Sequence, residues 1–295
     1  MELLTVLEQG EVATAAQMAQ GVDSLQMMVK SIGIHKHLWT NKSATLFLVA
    51  GTQSYTIKDT TTPVRAVSTF RETTTSADAS NTDLTVDLTS VTGVSTGDVI
   101  GIVTSSTAIH WTTVNGAPAA STVTITDALT TDVDSGAVVY VYTASSDLID
   151  KPLKIINLQR RNLSVDTPID LLSEEEYYEL PSKDSQGIIA QVYLDVQRDT
   201  VTLNVWPTSQ VVTDTLKFRY QRRPEDTDAE TDNMDFPQEW LEVLVYQLAL
   251  RLAPKYGVTP DPMVVQMAIS LLSDISVFDN EDVPLYFAPE TRYES

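Results

Sequence analysis

The chain has 295 residues, of which 42% are hydrophobic, and its formal net charge is −21. This composition predicts one large folded domain or two modest ones, and the charge argues against a uniformly basic DNA-gripping surface, because phosphate neutralisation needs clustered Lys and Arg. The absence of Cys excludes disulfides, thiolate nucleophiles and Cys-based metal centres.

The N-terminal sequence has no basic region followed by a long apolar segment, so no signal peptide is predicted. No uninterrupted apolar run approaches the roughly 18 residues that a membrane span requires. We therefore expect a soluble protein that is made in the cytoplasm and makes no membrane contact.

Helical patterning dominates the first part of the chain. Apolar residues recur at helical spacing over Val12–Trp39, and the segment Gly21-Val22-Asp23-Ser24 predicts a break followed by a new helix cap. The apolar runs Ala44–Val49 and Ser54–Ile57 predict a hairpin, and Val64–Phe70 predicts another strand.

The composition changes between about Arg71 and Ser146, where Thr, Ser, Asp, Val and Gly dominate and Lys is absent. Short strands are predicted at regular spacing, with Asn115-Gly116 as a strong hairpin signal. These strands are Leu84–Leu88, Val99–Val103, Ile109–Val114, Val123–Ile125 and Val138–Tyr142. We predict a small all-β barrel or sandwich module at 71–146, inserted into a core formed by 1–70 and 147–295.

Strand patterning of the core resumes after Pro152. Ser173 and Glu176 have capping-box spacing and predict a short helix at Glu174–Leu180. Val192–Val196 and Val201–Trp206 alternate around a polar turn and predict a hairpin, with one further strand in the same meander. The remaining predicted strands are Lys154–Leu158, Pro168–Leu172 and that third meander strand, Thr215–Tyr220.

A helix predicted from Pro237 to about Ala253 has an unusually wide apolar stripe. One line holds Trp240, Leu244, Leu248 and Leu252, and the adjacent line holds Leu241, Val245 and Ala249. Such a helix needs two neighbours, and one of them could be another copy of the chain. With a second amphipathic helix at about Pro262–Ile275, the chain is predicted to be α+β: a helical core of about four helices, a β-sheet meander and the inserted module.

Side chains suited to catalysis or metal binding are few. His35 and His37 flank Lys36, whose ammonium would oppose a cation, and we interpret them as structural or surface residues. Glu174–Glu176 could supply paired carboxylates for glycosidic cleavage, but an acidic first helical turn is the simpler interpretation. The acidic run Asp226–Asp235 lacks the glycine of a calcium loop and is interpreted as a linker. We assign no catalytic residue, cofactor or metal.

The chain contains two arginine pairs, Arg160-Arg161 and Arg222-Arg223, which flank predicted strands. They would suit carboxylates on a neighbouring subunit, where bidentate pairing is specific. Protection of an exposed strand edge by charge explains them equally well, and both interpretations stay open.

In this order, the motifs resemble the head-to-tail adaptor family of short-tailed phages, also called tail accessory factors or packaged-DNA stabilisation proteins. The resemblance covers most of the chain outside the β module. The matching segments are Met27–Lys30, Leu38–Thr40, Gly51–Thr56, Pro152–Leu158, Arg160-Arg161, Glu176–Leu180, Val205–Pro207, Arg223–Asp226, Phe236–Trp240, Leu248-Ala249 and Leu252–Pro254.

The resemblance implies a virion structural protein, without enzyme activity, at the head-to-tail junction of a podovirus-like phage. It implies a twelvefold ring that binds the portal, the tail nozzle and a fibre or spike, seals the head after packaging and lets DNA leave during ejection. The ring interface would use Trp240, Leu241, Leu244, Val245, Leu248 and Leu252 together with Arg160, Arg161, Arg222 and Arg223. The portal would receive Val283, Leu285, Tyr286 and Phe287.

Two other functions compete with the adaptor interpretation. A virion-associated hydrolase of cell-wall glycan would use Glu174–Glu176. A fibre-binding or saccharide-binding tail module would use His110, Trp111 and Tyr140 of the β module.

Overall fold

The structure is a computed structural model that describes residues 13–32, 38–57, 66–225 and 235–278. Over these residues the protein is α+β, in agreement with the predicted class. The chain divides into two compact units. The β unit is Lys42–Arg222, and the helical unit combines Met1–Asn41 with Arg223–Ser295. None of the helices within the described ranges is both long and apolar enough to cross a lipid bilayer.

The α-helices in the described residues are α1 (Ala15–Ile32), α2 (Ala144–Asp147), α3 (Glu174–Glu179), α4 (Leu241–Leu252) and α5 (Pro262–Phe278). The strands are β1 (Asn41–Phe47), β2 (Ser54–Ile57), β3 (Ala66–Val67), β4 (Arg71–Thr74), β5 (Thr85–Asp87), β6 (Val99–Val103), β7 (Ile109–Thr113), β8 (Thr122–Thr124), β9 (Val138–Tyr142), β10 (Lys154–Asn162), β11 (Val165–Pro168), β12 (Asp170–Leu172), β13 (Gln186–Gly187), β14 (Gln191–Val196), β15 (Val201–Trp206), β16 (Thr208–Ser209) and β17 (Thr215–Gln221).

Two sheets of the β unit enclose its largest core. One has the order β11-β10-β17-β1-β3, and the other has the order β12-β14-β15-β2. Alternate residues of both sheets point into a shared apolar cluster, in which Leu46, Leu203 and Leu216 are completely buried. Period-2 patterning in the sequence produces these inward rows, because successive side chains of a strand point to opposite faces.

Two of the predicted strand pairings are wrong, and one is confirmed. The predicted hairpin of β14 and β15 is confirmed, with Val196 opposite Val201 at its turn. The third meander strand was wrongly assigned to that sheet, since β17 pairs with β10. The hairpin of β1 and β2 is also wrong, since β1 pairs with β3 and β2 pairs with β15. Alternation fixes which face of a strand is buried, but it leaves the partner strand unspecified.

The β module, residues 71–146, contains a four-stranded sheet of order β4-β9-β6-β7 and the paired strands β5 and β8. Their inward residues form a separate cluster in which Ile100, Ile102 and Val123 are completely buried. The first and last strands of the module pair directly, with Arg71 opposite Val141. Whether this module is an independent domain stays a prediction.

Asn115-Gly116 does not form the predicted tight hairpin turn. Val114 bridges Ile125, so the chain continues as a ladder beyond the Asn-Gly pair. It reverses where the N–H groups of Ala119 and Thr122 donate to each other's carbonyl oxygens at 3.0 and 2.9 Å. Gly116 does have the positive φ, 93°, that its residue type favours.

An aromatic cluster joins the β module to the five-stranded sheet, and we call it the aromatic joint; it comprises Phe47, Phe70, Trp111, Tyr140 and Tyr142. Phe47 of β1 lies with its ring centroid 4.6 Å from that of Tyr140 and 5.2 Å from that of Trp111. Strand β9 supplies both cores, since Val139 and Val141 face the module's interior while Tyr140 and Tyr142 face the joint.

In the helical unit, α1, α4 and α5 pack around Met28, Trp240, Val243, Leu244 and Ile275. The side-chain amide of Gln247 donates to the carbonyl oxygen of Ala268 at 3.0 Å and ties α4 to α5. About four core helices were predicted, and three long ones lie in the described residues of this unit.

The break predicted at Gly21 in the first helix is wrong, because α1 runs through it without interruption. Ser24 does not cap a new helix there; its hydroxyl donates to the carbonyl oxygen of Gln20 at 2.7 Å, inside the helix. A helix interior tolerates a glycine at a cost of about 1 kcal/mol, and the packing of the buried residue Met28 outweighs that cost.

Candidate assembly surfaces

The wide apolar stripe of α4 separates into a buried line and an open line. Trp240, Leu244 and Leu252 are at most 3% exposed and belong to the helical unit's own core, and Leu248 is half-buried beside them. On the adjacent line, which we call open, Leu241 is 43% exposed and Val245 is 53% exposed, whereas Ala249 at its end is buried. Of the apolar residues predicted for an interface between copies, these two offer most of the available surface.

A groove of about 260 Å³ lies between α4 and α5, which we call the acidic groove. Val243, Leu271 and Ile275 form its apolar part, and three carboxylate residues line it as well. These are Glu239, Glu242 and Asp274. This groove was not predicted from the sequence, although Glu239 and Glu242 are three residues apart beside the apolar stripe.

Arg160 has a partner in its own chain. Its guanidinium lies 3.5 Å from the carboxylate of Asp214, and the two side chains are 16% and 6% exposed. The side-chain amide of Asn162 donates to the second carboxylate oxygen of Asp214 at 2.6 Å. This ion pair was not predicted, because Arg160 and Asp214 are far apart in the sequence.

Arg161 points to the opposite face of β10 and contacts the turn that follows this strand. Its Nε donates to the carbonyl oxygen of Leu163 at 3.1 Å, and a terminal nitrogen lies 3.8 Å from Asp166. Leu163 is 86% exposed, and its φ of 52° lies in the left-handed region that non-glycine residues rarely adopt. We call this segment, Asn162–Val165, the hairpin tip.

The outer face of the five-stranded sheet is basic beside the hairpin tip. Lys217 and Arg219 alternate with the buried Phe218 on β17 and therefore point away from the core. They line a groove of about 360 Å³ together with Ser43, Asn157 and Gln159. Lys217 lies opposite Gln159, one strand away from the tip.

The second arginine pair marks the point in the sequence at which the β unit ends and the second segment of the helical unit begins. Arg222 is the last residue of the β unit and is half-buried, whereas Arg223 is the first residue of the helical segment and is exposed. The structure does not bring this pair together with Arg160 and Arg161 on one strand pair, since β17 ends at Gln221.

Several candidate residues lie outside the described residues. These are His35 and His37, the segment 226–234 of the acidic linker, and Val283, Leu285, Tyr286 and Phe287 of the predicted portal-docking segment. Within the described ranges, no group of three His, Asp or Glu residues is arranged to hold a metal ion.

The glutamates considered for glycan hydrolysis form a helix cap, as predicted. The N–H and the hydroxyl of Ser173 both donate to the carboxylate of Glu176 at 2.8 Å. These hydrogen bonds lower the pKa of Glu176. A general acid in a glycosidase needs the opposite shift, so the arrangement gives the hydrolase interpretation no support.

The three residues considered for a ligand platform are turned inward or toward the backbone. Tyr140 is 3% exposed, and burial raises its pKa to about 12, with smaller contributions from Glu72 and Asp214. Trp111 packs in the aromatic joint, and His110 Nε2 lies 3.2 Å from the carbonyl oxygen of Asp127. These side chains do not form an open stacking surface for a saccharide.

A comparison with curated proteins finds no match for the chain. The model of the SU10 adaptor protein family matches residues 119–269, which is just over half of the chain and runs from the β module into α5. The predicted relation to phage adaptors is thereby confirmed, and the chain belongs to the SU10 adaptor protein family, a family of phage structural adaptors.

Proposed function

We propose that this chain forms the ring-shaped head-to-tail connector of a short-tailed phage, between the portal and the tail. The ring would seal the head after packaging and surround the DNA during ejection. Family membership implies a structural role in the virion and contact with other phage structural proteins such as the portal and tail. The ring, its twelvefold symmetry and its place between these partners are the finer proposal.

The open line of α4 is the observation that carries the ring proposal. Leu241 and Val245 are exposed on a helix whose other line already holds the unit's core. Burying a Leu or Val side chain that would otherwise face water contributes about 1.5–3 kcal/mol. In a closed ring the same contact recurs at every subunit interface, so a small patch contributes repeatedly to assembly.

The acidic composition supports a bore that does not retain DNA. With a net charge of −21, the chain has few cations with which to neutralise phosphates. We propose that carboxylates face the bore and repel the duplex, so that it slides during ejection. Neutralising bore-facing carboxylates should then slow ejection, and unchanged ejection kinetics would count against this part of the proposal.

The remaining parts of the proposal follow the family resemblance. Val283, Leu285, Tyr286 and Phe287 would dock into the portal, while the opposite end of the ring would receive the tail nozzle and a fibre or spike. The core of 1–70 and 147–295 would build the ring, and the module at 71–146 would project from it.

Mixing the purified full-length chain with the portal of the same phage and imaging the complex by electron microscopy tests the proposal. Rings are expected on one end of the portal. The double variant Leu241→Ser, Val245→Ser should abolish them, because both side chains are exposed and their loss leaves the fold intact. Val196→Ser is the matched control, since Val196 is 56% exposed on a different surface. Absence of wild-type rings would refute the proposal.

A further inference from the structure

We infer that Leu163 at the hairpin tip of one copy inserts into the acidic groove of the next copy. The inference rests on the proposed function, because it requires that copies of the chain meet in a ring. It assigns an occupant to two surfaces that none of the described residues covers: an exposed aliphatic side chain, and an apolar groove lined by carboxylates.

The hairpin tip is built to present Leu163 rigidly. Arg161 holds the carbonyl oxygen of Leu163, and Asn162 is held by the carboxylate of Asp214, which Arg160 also contacts. Both faces of β10 are thus anchored immediately before the tip. A backbone segment that is already held by hydrogen bonds loses little conformational entropy on binding, which favours affinity.

Leucine is an unexpected residue at this position. A φ of 52° suits Gly or Asn and is disfavoured for most other residues, because their Cβ atom crowds the backbone. Leu163 combines this conformation with 86% exposure, and nearby Val165 is 64% exposed. None of the described residues covers this aliphatic side chain, and its disfavoured backbone conformation is explained if another molecule covers it.

The acidic groove matches the tip in size and chemistry. Its volume of about 260 Å³ is more than one leucine side chain fills, and Val243, Leu271 and Ile275 provide an aliphatic lining. Burying a leucine against such a lining removes apolar surface from water and therefore favours the contact.

The charges around the two surfaces have opposite signs. Glu239, Glu242 and Asp274 line the groove, whereas Arg161, Lys217 and Arg219 share the sheet face behind the tip. Arg161 is 41% exposed and its contact with Asp166 spans 3.8 Å, so a second carboxylate can approach it. The opposite charges favour one register of the two surfaces and disfavour contact between two grooves or two tips.

The contact joins unlike surfaces, because the tip belongs to the β unit and the groove to the helical unit. Such head-to-tail contacts generate closed rings or open filaments, whereas contacts between identical surfaces stop at dimers. A tip-in-groove contact therefore has the symmetry that a ring requires.

Disulfide trapping tests the contact, and the chain is suited to it because it contains no Cys. Leu163→Cys in one preparation and Leu271→Cys in another are mixed with the portal and oxidised. A disulfide requires Cα atoms within about 7 Å, so a covalent dimer is expected only from the mixture. A chain carrying both substitutions should give a ladder of covalent multimers. Val196→Cys replaces Leu163→Cys in the control, which should give no dimer.

Charge reversal gives a second measurement that does not depend on Leu271. Arg161→Glu and Glu242→Arg are each expected to weaken ring assembly about tenfold, and the double variant should recover most of that loss, because the pair is restored with opposite sense. Arg161 is 41% exposed and Glu242 is exposed, so both variants should fold, and circular dichroism checks this. Arg161→Ala is the matched control, because it removes the contacts of Arg161 with Leu163 and Asp166 without reversing the charge.

The outcomes separate this inference from the proposed function. Rings on the portal without a covalent dimer, or with as much dimer from the Val196→Cys control, overturn the tip-in-groove contact and leave the connector role intact. A cross-link from Leu271→Cys to a cysteine variant of the portal would assign the groove to that protein and also overturn the inference. Absence of both rings and dimers rejects both.

Discussion

Removing the Phe47 ring from the aromatic joint should destabilise the β unit strongly. Phe47 is 2% exposed, and three other rings lie with centroids within 5.2 Å of it. A Phe→Ala change at a buried site costs about 3–5 kcal/mol, and this range already includes the ring contacts that are lost with the side chain. We therefore expect Phe47→Ala to cost about 4 kcal/mol.

Scanning calorimetry of the full-length chain measures the effect. For a unit of this size, 1 kcal/mol shifts Tm by about 2–4 °C, so the transition of the β unit should fall by about 8–16 °C. Tyr178→Ala is the matched control, because it deletes a ring that is 65% exposed and should shift Tm by less than about 2 °C.

A second perturbation approaches the same joint from the module side. A Cβ atom added at Gly101 would lie 2.4 Å from the Trp111 ring, so Gly101→Ala must displace that ring from Phe47. We expect a loss of about 1–3 kcal/mol from overpacking, together with a change in Trp fluorescence. If Phe47→Ala lowered Tm no more than Tyr178→Ala, the joint would not be coupling the module to the sheet.

Three further predictions concern single sites. Asp214→Ala leaves the mostly buried Arg160 without its carboxylate partner and should lower the free energy of unfolding in urea by about 3 kcal/mol. The control is Asp199→Ala, whose ion pair with Arg198 is 83% and 94% exposed, and it should cost less than about 0.5 kcal/mol. Equal losses would contradict this prediction. Gly21→Ala should stabilise the helical unit by about 0.5–1 kcal/mol, since no atom lies within 4 Å of the added Cβ and the helix is continuous; a lower Tm would show that the helix breaks there. Tyr140 keeps its proton in the folded state up to a pKa of about 12, whereas the unfolded chain loses it near pH 10, so stability should be unchanged below pH 10 and fall by about 2–3 kcal/mol as the pH rises to 12. Tyr140→Phe should remove this part of the alkaline loss, and an unaltered pH profile would reject the assignment.

Local signals in the sequence predicted local structure well. The hairpin at Val196 and Val201 and the Ser173–Glu176 capping box each depend on a few neighbouring residues, and both are present. The short strands of the module were found for the same reason. Such features are specified by side-chain alternation and hydrogen bonding within a few residues, so no knowledge of distant partners is needed.

Features that depend on distant partners were missed or assigned wrongly. The alternation of apolar and polar residues in β17 is clear. Its pairing with β10, however, depends on how distant strands pack around the shared core. The ion pair of Arg160 with Asp214 has no local signature, so the sequence left the role of that arginine open. The stripe of α4 predicted two neighbours, and α1 and α5 both pack against this helix; contact with another copy stays a prediction. The division between buried Leu244 and exposed Val245 depends on how these helices pack.

The first and last strands of the module pair with each other, so the module begins and ends at neighbouring positions. Arg71 lies opposite Val141, and just outside the module the N–H of Ser68 donates to the carbonyl oxygen of Asp147 at 2.7 Å. Because the two ends of the insert lie on paired strands, their separation is the same whatever the length of the insert. The host sheet therefore needs no adjustment to accommodate it. A segment of another length could therefore replace this module without altering the strand register of the host sheet. The replacing segment must bring its own cover for Phe47.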